Sequence, residues 1–202
     1  MVNIAVLVSG GGTNLQALID SEKRGEIPHG KITLVVASNK EAYALERAKN
    51  AGIETAVVRR KDYSTPEEHD EALVSVLKDH QIDMVILAGY LSILGPKFIA
   101  AYPDRIINIH PSLIPSFCGK GFYGLKVHEA ALEKGVKVTG ATVHLVNEIP
   151  DGGKILFQKA VEIQDGDTPE ILQRRVMEQA EWILLPKAAA LISEQLDKEE
   201  DR

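Results

Sequence analysis

The chain has 202 residues, 45% hydrophobic and 26% charged, which suits one large soluble domain or two small ones and excludes a disordered or fibrous chain. Its net charge of −6 argues against a nucleic-acid partner gripped through its phosphates. The single cysteine, Cys118, excludes an internal disulfide and a cysteine zinc cluster, and the opening apolar run Val2–Val8 is too short for a signal segment or a membrane span. The expectation is a cytoplasmic protein with no membrane partner.

Val2–Val8 is β-branched and almost continuously apolar, the pattern of a strand covered on both faces. A run of three glycines follows, then a predicted helix over 13–23, with Thr13 and Gln16 at capping-box spacing. A strand over 32–37, a helix over 41–50 closed by Gly52 and a weaker strand over 54–58 come next. Thr65-Pro66-Glu67-Glu68 reads as an N-cap, a proline at the first helical position and acids in the first turn, opening a helix to about Asp79. Residues 84–87 form a short buried strand, Pro96 starts a short helix, and 105–110 is a fifth strand. Strand and helix thus alternate five times in the first 110 residues, which is the rhythm of an α/β fold with a parallel, doubly wound sheet.

After Pro115 the pattern changes. Residues 116–124 have no period and read as a loop, and a helix over 126–134 ends at Gly135. Segments 138–146 and 155–163 read as two antiparallel strands joined by a wide connection containing Asp151-Gly152-Gly153. Thr168-Pro169-Glu170 repeats the capped start, and the last helix is expected to reach Leu196, kinked or split at Pro186. Residues 197–202 read as a charged, frayed tail. No linker or repeat interrupts the chain. The expectation is one domain, 1–202, in two halves, 1–110 and 111–202.

Three clusters carry chemistry. Ser9-Gly10-Gly11-Gly12-Thr13-Asn14 joins the first strand to the first helix, where backbone N–H groups can hold an anion. Its spacing matches neither the dinucleotide nor the triphosphatase glycine motif, which points to a single phosphate; the plain alternative is a turn. Asn108 and His110 lie two apart on a strand and so share a face at its carboxyl end. An amide and an imidazole there can serve an oxyanion, or can simply be hydrogen-bonded structure. Asp151 can orient the imidazole or merely make its turn. His144 reads as a strand residue with a packed or hydrogen-bonded ring. Cys118 has no basic neighbour except Lys120. No metal is expected, because His110, His128 and His144 lack the spacing of a zinc pair.

Together with Asn108-Ile109-His110-Pro111-Ser112-Leu113 and His144-Leu145-Val146-Asn147-Glu148-Ile149-Pro150-Asp151, the glycine loop resembles the signature of the folate-dependent formyltransferases, from residue 1 to about 191. The loop narrows the resemblance to the branch acting on phosphoribosylglycinamide. The resemblance implies a Rossmann-like open twisted sheet, parallel in its N-terminal half, with antiparallel strands added by the C-terminal half. It implies transfer of a formyl group from 10-formyltetrahydrofolate to the amine of phosphoribosylglycinamide in purine biosynthesis, with a folate as co-substrate and no metal. Asn108, His110 and Asp151 would be catalytic. Gly12, Thr13, Asn14 and Glu181 would hold the phosphoribosyl substrate. Leu91, Ser92, Ile93 and Leu94 would form one wall for the folate, and Asn147, Glu148, Ile149 and Pro150 the other. Some relatives carry arginine where Ser92 stands, arginine where Thr65 or Pro66 stands, and lysine where Glu178 stands; Arg60 and Lys61 are the basic residues that could substitute for a missing arginine. A monomer or a homodimer fits equally. The same signature also fits a formyltetrahydrofolate hydrolase or a methionyl-tRNA formyltransferase, and the loop alone fits a non-catalytic nucleotide-binding module.

Overall fold

The computed structural model describes residues 1–200. A single sheet of seven strands has the order β3-β2-β1-β4-β5-β6-β7. The strands are β1 (Val2–Val8), β2 (Gly30–Ala37), β3 (Glu54–Val57), β4 (Met84–Leu87), β5 (Ile106–His110), β6 (Val138–Leu145) and β7 (Ile155–Glu162). The first five are parallel, and β6 and β7 add antiparallel neighbours, as the alternation in the sequence predicts.

The crossover helices are α1 (Thr13–Lys23), α2 (Ala44–Asn50), α3 (Pro66–Asp79) and α4 (Pro96–Ala101). The C-terminal half contributes α5 (Leu125–Lys134), α6 (Pro169–Val176) and α7 (Trp182–Glu200). They cover both faces of the sheet, which explains why β1 is apolar at nearly every position. Ile4, Val6 and Val8 pack into one core with Leu15 and Leu18 of α1 and Leu185 and Ile192 of α7. Ala5 and Leu7 pack into the other with Leu73 and Leu77 of α3 and Phe98 of α4. Burying each such Leu or Ile contributes roughly 1.5–3 kcal/mol over leaving it in water. Strand order reverses between β1 and β4, so a crevice opens outside the carboxyl ends of the central strands.

Four local expectations need correction. Thr13 and Gln16 do not form a capping box: the N-cap is Gly12, left-handed at φ 72°, and makes no side-chain cap bond. Gln16 instead bonds Asp20 and Arg47. Helix α2 starts at Ala44 rather than residue 41, because the Asn39 side chain accepts from the Glu41 N–H and holds a turn there. The last helix is interrupted at a π-turn, Met177–Glu181, and Pro186 lies inside α7. The carbonyl facing the Pro186 ring is that of Trp182, directly after the widened turn, where the backbone already departs from the regular ladder. The expected tail is helical through Glu200, tied down where Asp197 accepts from the Met1 amino group at 2.5 Å and pairs with His29 at 2.7 Å. Its remaining part, Asp201 and Arg202, lies outside the described residues. The capping box predicted at Thr65 and Glu68 is present. Among the described residues no helix is long and apolar enough to cross a membrane.

Candidate active site

The glycine loop leaves β1 at the crevice. Ala44 N–H donates to the Gly10 carbonyl at 3.1 Å, and Arg47 Nε donates to the Gly11 carbonyl at 2.8 Å. Helix α2 therefore occupies the loop's carbonyls from behind. The first N–H groups of α1 have no partner within the helix and face the crevice. Glycine is required at position 12 twice over: its φ is positive, and a Cβ there would lie 2.6 Å from the Ala44 Cβ.

Two cavities of about 280 Å³ and about 270 Å³ open along the carboxyl edge. The first is lined by Gly12, Thr13, Asn14, His110 and Glu181. The second lies between residues 91–94 and residues 147–150. They share Tyr90, Leu91, Asn108, Phe122, Tyr123 and Asp151. All the residues assigned from the sequence thus line one of two adjoining cavities, with Asn108 and Asp151 at the junction.

Strand β5 delivers Asn108 and His110 on one face, and β6 places His144 opposite Asn108 in register. Asp151 comes from the β6–β7 connection, itself left-handed at φ 54°. The connection presses against the end of β6, where a Cβ on Gly153 would sit 1.6 Å from the Leu145 carbonyl oxygen. Asp151 Oδ1 accepts from Asn108 Nδ2 at 3.4 Å and lies 3.5 Å from His144 Nε2. Asp151 Oδ2 lies 3.6 Å from His110 Nδ1 and accepts from the Gly119 N–H at 2.8 Å.

The tautomers follow from the partners. A carbonyl only accepts, so His110 Nε2 donates to Phe117 O at 2.8 Å and His144 Nδ1 donates to Leu145 O at 2.8 Å. His144 Nε2 then accepts from Asn108 Nδ2 at 3.2 Å, which fixes the amide's orientation. Burial pushes the His110 pKa below the ordinary imidazole value, against the opposing pull of the Asp151 charge and the Phe117 carbonyl. The ring is neutral at pH 7. Burial alone would raise the Asp151 pKa, but the hydrogen-bonding groups around it, the Gly119 N–H among them, hold it below the usual carboxylate value. Asp151 is a carboxylate.

Glu181 comes from the π-turn and is 4% exposed. Its Oε2 accepts from Asn14 Nδ2 at 2.7 Å, and burial raises its pKa to about 7. Asn14 Oδ1 is buried without a partner among the described residues, leaving an acceptor beside the glycine loop.

Sequence reasoning missed His144 as a neighbour of the trio, since its pairing with Asn108 depends on strand register. It also missed the roof formed by residues 117–123, whose backbone meets both His110 and Asp151. Neither Arg60 nor Lys61 lines either cavity; they form a short turn, with Arg60 donating to Tyr63 O. Glu178 pairs with Arg174. The Cys118 thiol donates to Pro115 O, and burial and the Asp151 charge raise its pKa, the opposite of an activated thiolate. Among the described residues no group of three or more His, Cys, Asp or Glu is placed to hold a metal ion.

A glycine loop at the first strand–helix turn and an Asn–His–Asp cluster thus meet at the carboxyl edge of an α/β sheet, beside two adjoining cavities. The chain belongs to the formyl transferase family, whose model matches residues 2–188. It is 44% identical over 179 residues to phosphoribosylglycinamide formyltransferase of Haemophilus influenzae, covering 89% of this chain and 82% of that one. It is 45% identical over 192 residues to the human trifunctional purine biosynthetic protein adenosine-3, covering 94% of this chain but only 18% of that protein. The crystal structure of glycinamide ribonucleotide transformylase 1 from Symbiobacterium toebii superimposes with a TM-score of 0.90 at 42% identity, covering 96% of this chain and 89% of that one.

Proposed function

We propose that this formyltransferase moves the formyl group of 10-formyltetrahydrofolate to the primary amine of phosphoribosylglycinamide, a step of de novo purine biosynthesis. The observation that carries the reading is the junction of the two cavities at Asn108 and Asp151. One cavity begins at an anion-binding glycine loop, which suits a phosphate at the far end of the amine substrate. The other is walled by residues 91–94 and 147–150, with exposed Leu91, Ile93 and Ile149 at its mouth, which suits a flat heterocycle. Glu181 and Asn14 Oδ1 offer acceptors to the ribose hydroxyls between phosphate and amine.

In this reading the amine nitrogen attacks the formyl carbon, and the new C–N bond forms as the carbonyl oxygen becomes an oxyanion. Asn108 Nδ2 gives up its long bond to Asp151 to donate to it, and His110 Nε2–H exchanges the Phe117 carbonyl for it. A donor held at the oxyanion contributes on the order of 3 kcal/mol. The proton shed by the attacking amine passes through water to His110 Nδ1, where the Asp151 charge stabilises the imidazolium. The carbonyl then re-forms as the bond to the folate nitrogen breaks, and His110 returns that proton, through water beside Asp151, to the leaving nitrogen. Holding the two substrates against each other across the junction supplies the remaining acceleration. The reading makes the chain one catalytic unit, acting in the cytoplasm as a monomer or homodimer.

The test mixes the protein with phosphoribosylglycinamide and a 10-formylfolate and follows folate absorbance. Release of deformylated folate that depends on the ribonucleotide is expected. Deformylation without it would indicate a hydrolase, and no turnover would indicate a binding module.

A further inference from the structure

The wall over residues 91–95 is an irregular segment between β4 and α4. Leu94 packs into the core with Leu73, Leu77 and Phe98, but Leu91 is 61% exposed and Ile93 72% exposed, so side-chain packing holds the wall at one point only. It is fastened at both ends by side chains from elsewhere in the fold. At the near end the Leu91 N–H donates to Ser9 Oγ at 2.9 Å, and Ser9 Oγ in turn accepts from Ser38 Oγ at 2.7 Å. At the far end the Gly95 N–H donates to Asp70 Oδ2 at 2.9 Å. Asp70 stands on α3 and is 2% exposed, and its Oδ1 has no partner among the described residues. The fit is close, since a Cβ on Gly95 would lie 2.5 Å from Asp70 Oδ2.

Keeping a carboxyl group buried and half-unpartnered is costly, and an apolar residue would pack α3 against α4 more favourably. The polar group is therefore explained by what it holds. We infer that Asp70 and Ser9 are positioning residues that clamp the 91–95 wall in the shape that receives the formyl donor. The inference rests on the proposed reaction, because it takes the second cavity to be the donor's. It also gives Ser9 a double place, since Ser9 opens the glycine loop and the donor wall hangs from its hydroxyl. Neither side chain lines the donor cavity, so the effect reaches the donor through the backbone of Leu91 and Gly95 alone.

The test is steady-state kinetics with both substrates for the wild-type chain and for Asp70→Ala, Asp70→Asn and Ser9→Ala, each checked by thermal melting. Asp70→Ala is expected to raise the donor KM about fivefold, with kcat and the amine KM within about twofold of wild type. Asp70→Asn keeps an acceptor oxygen and should restore the donor KM to within about twofold. Ser9→Ala frees the other end without touching α3 and should also raise the donor KM, which keeps the test alive if Asp70→Ala does not fold; because Ser9 opens the glycine loop, the amine KM is read as a criterion in Asp70→Ala only. A donor KM unchanged in the Ala variants, an amine KM rising in step with it, or Asp70→Asn no better than Asp70→Ala would overturn the clamp. Loss of stability without a KM change marks a purely structural role and overturns it as well. No turnover by the wild-type chain overturns the reaction beneath it, an outcome separate from any difference among variants.

Discussion

His110 presents Nδ1, not Nε2, to the carboxylate of Asp151, across 3.6 Å. The choice is made by the roof, because Nε2–H is held by the Phe117 carbonyl. In the resting site the unprotonated ring nitrogen therefore faces a negative charge, and adding a proton there completes an ion pair. Burial resists that proton and Asp151 invites it.

This balance predicts the sign of a titration. Asp151→Asn removes the charge that raises the His110 pKa and leaves the burial that lowers it. The His110 midpoint, followed by NMR of the ring, should move further down than in the wild type. Formyl transfer should fall by about 100-fold or more. A midpoint that stays put or rises would mean that the two side chains are not electrostatically linked.

Asn108→Ala and His110→Ala should fold normally, judged by far-ultraviolet circular dichroism. Each should lose about 100- to 1,000-fold in kcat if each supplies a donor to the oxyanion. Full activity in either variant rules out the oxyanion arrangement. Asn108→Ala also removes the donor to His144 Nε2, so the His144 ring resonance should shift even without ligand.

Gly12→Ala should damage the amine-substrate site selectively. The added carbon meets Ala44 in a left-handed backbone, so the loop must shift away from α2. The expected result is a KM for the phosphorylated substrate raised about tenfold or more, with folate-analogue binding close to wild type. Equal loss of both substrates would show that the loop serves the whole fold and not the phosphate.

Glu181 gives a stability prediction. Its folded pKa, near 7, lies above the ordinary carboxyl value. Its contribution to stability is therefore complete below about pH 4.5 and is lost as pH rises through about 7, a span on the order of 3 kcal/mol. Glu181→Gln should raise the melting temperature relative to wild type at pH 8 and lose that advantage at pH 5. It should also weaken binding of the phosphoribosyl substrate. A melting difference independent of pH would place the Glu181 pKa at its ordinary value.

Much of this architecture is legible in the sequence. The apolar run of β1, the glycines after it and the capped starts at Thr65 and Thr168 are local signals, and local structure obeys them. Asn108 and His110 declare their shared face through a spacing of two. The features missed are those that depend on distant chain. Register across β5 and β6 decides that His144 meets Asn108. The packing of Ala44 against Gly12, not the residues at 13 and 16, decides how α1 is capped. The bonds from 117–119 to His110 and Asp151 turn an aperiodic loop into a roof.

The π-turn at Met177–Glu181 has a consequence for how this site can change. A π-turn is one residue more than an α-helix needs, and each residue turns a helix by roughly 100°. Removing a single residue there would turn α6 and the carboxylate of Glu181 about a quarter-turn relative to each other, so that Glu181 and Gln173, which line the same cavity, could not both keep their places. Substitution alters what the acid can bind; a one-residue deletion alters whether it reaches the cavity at all. Insertions and deletions at this turn are thus a route by which the fold could reshape this cavity without touching the residues at the junction.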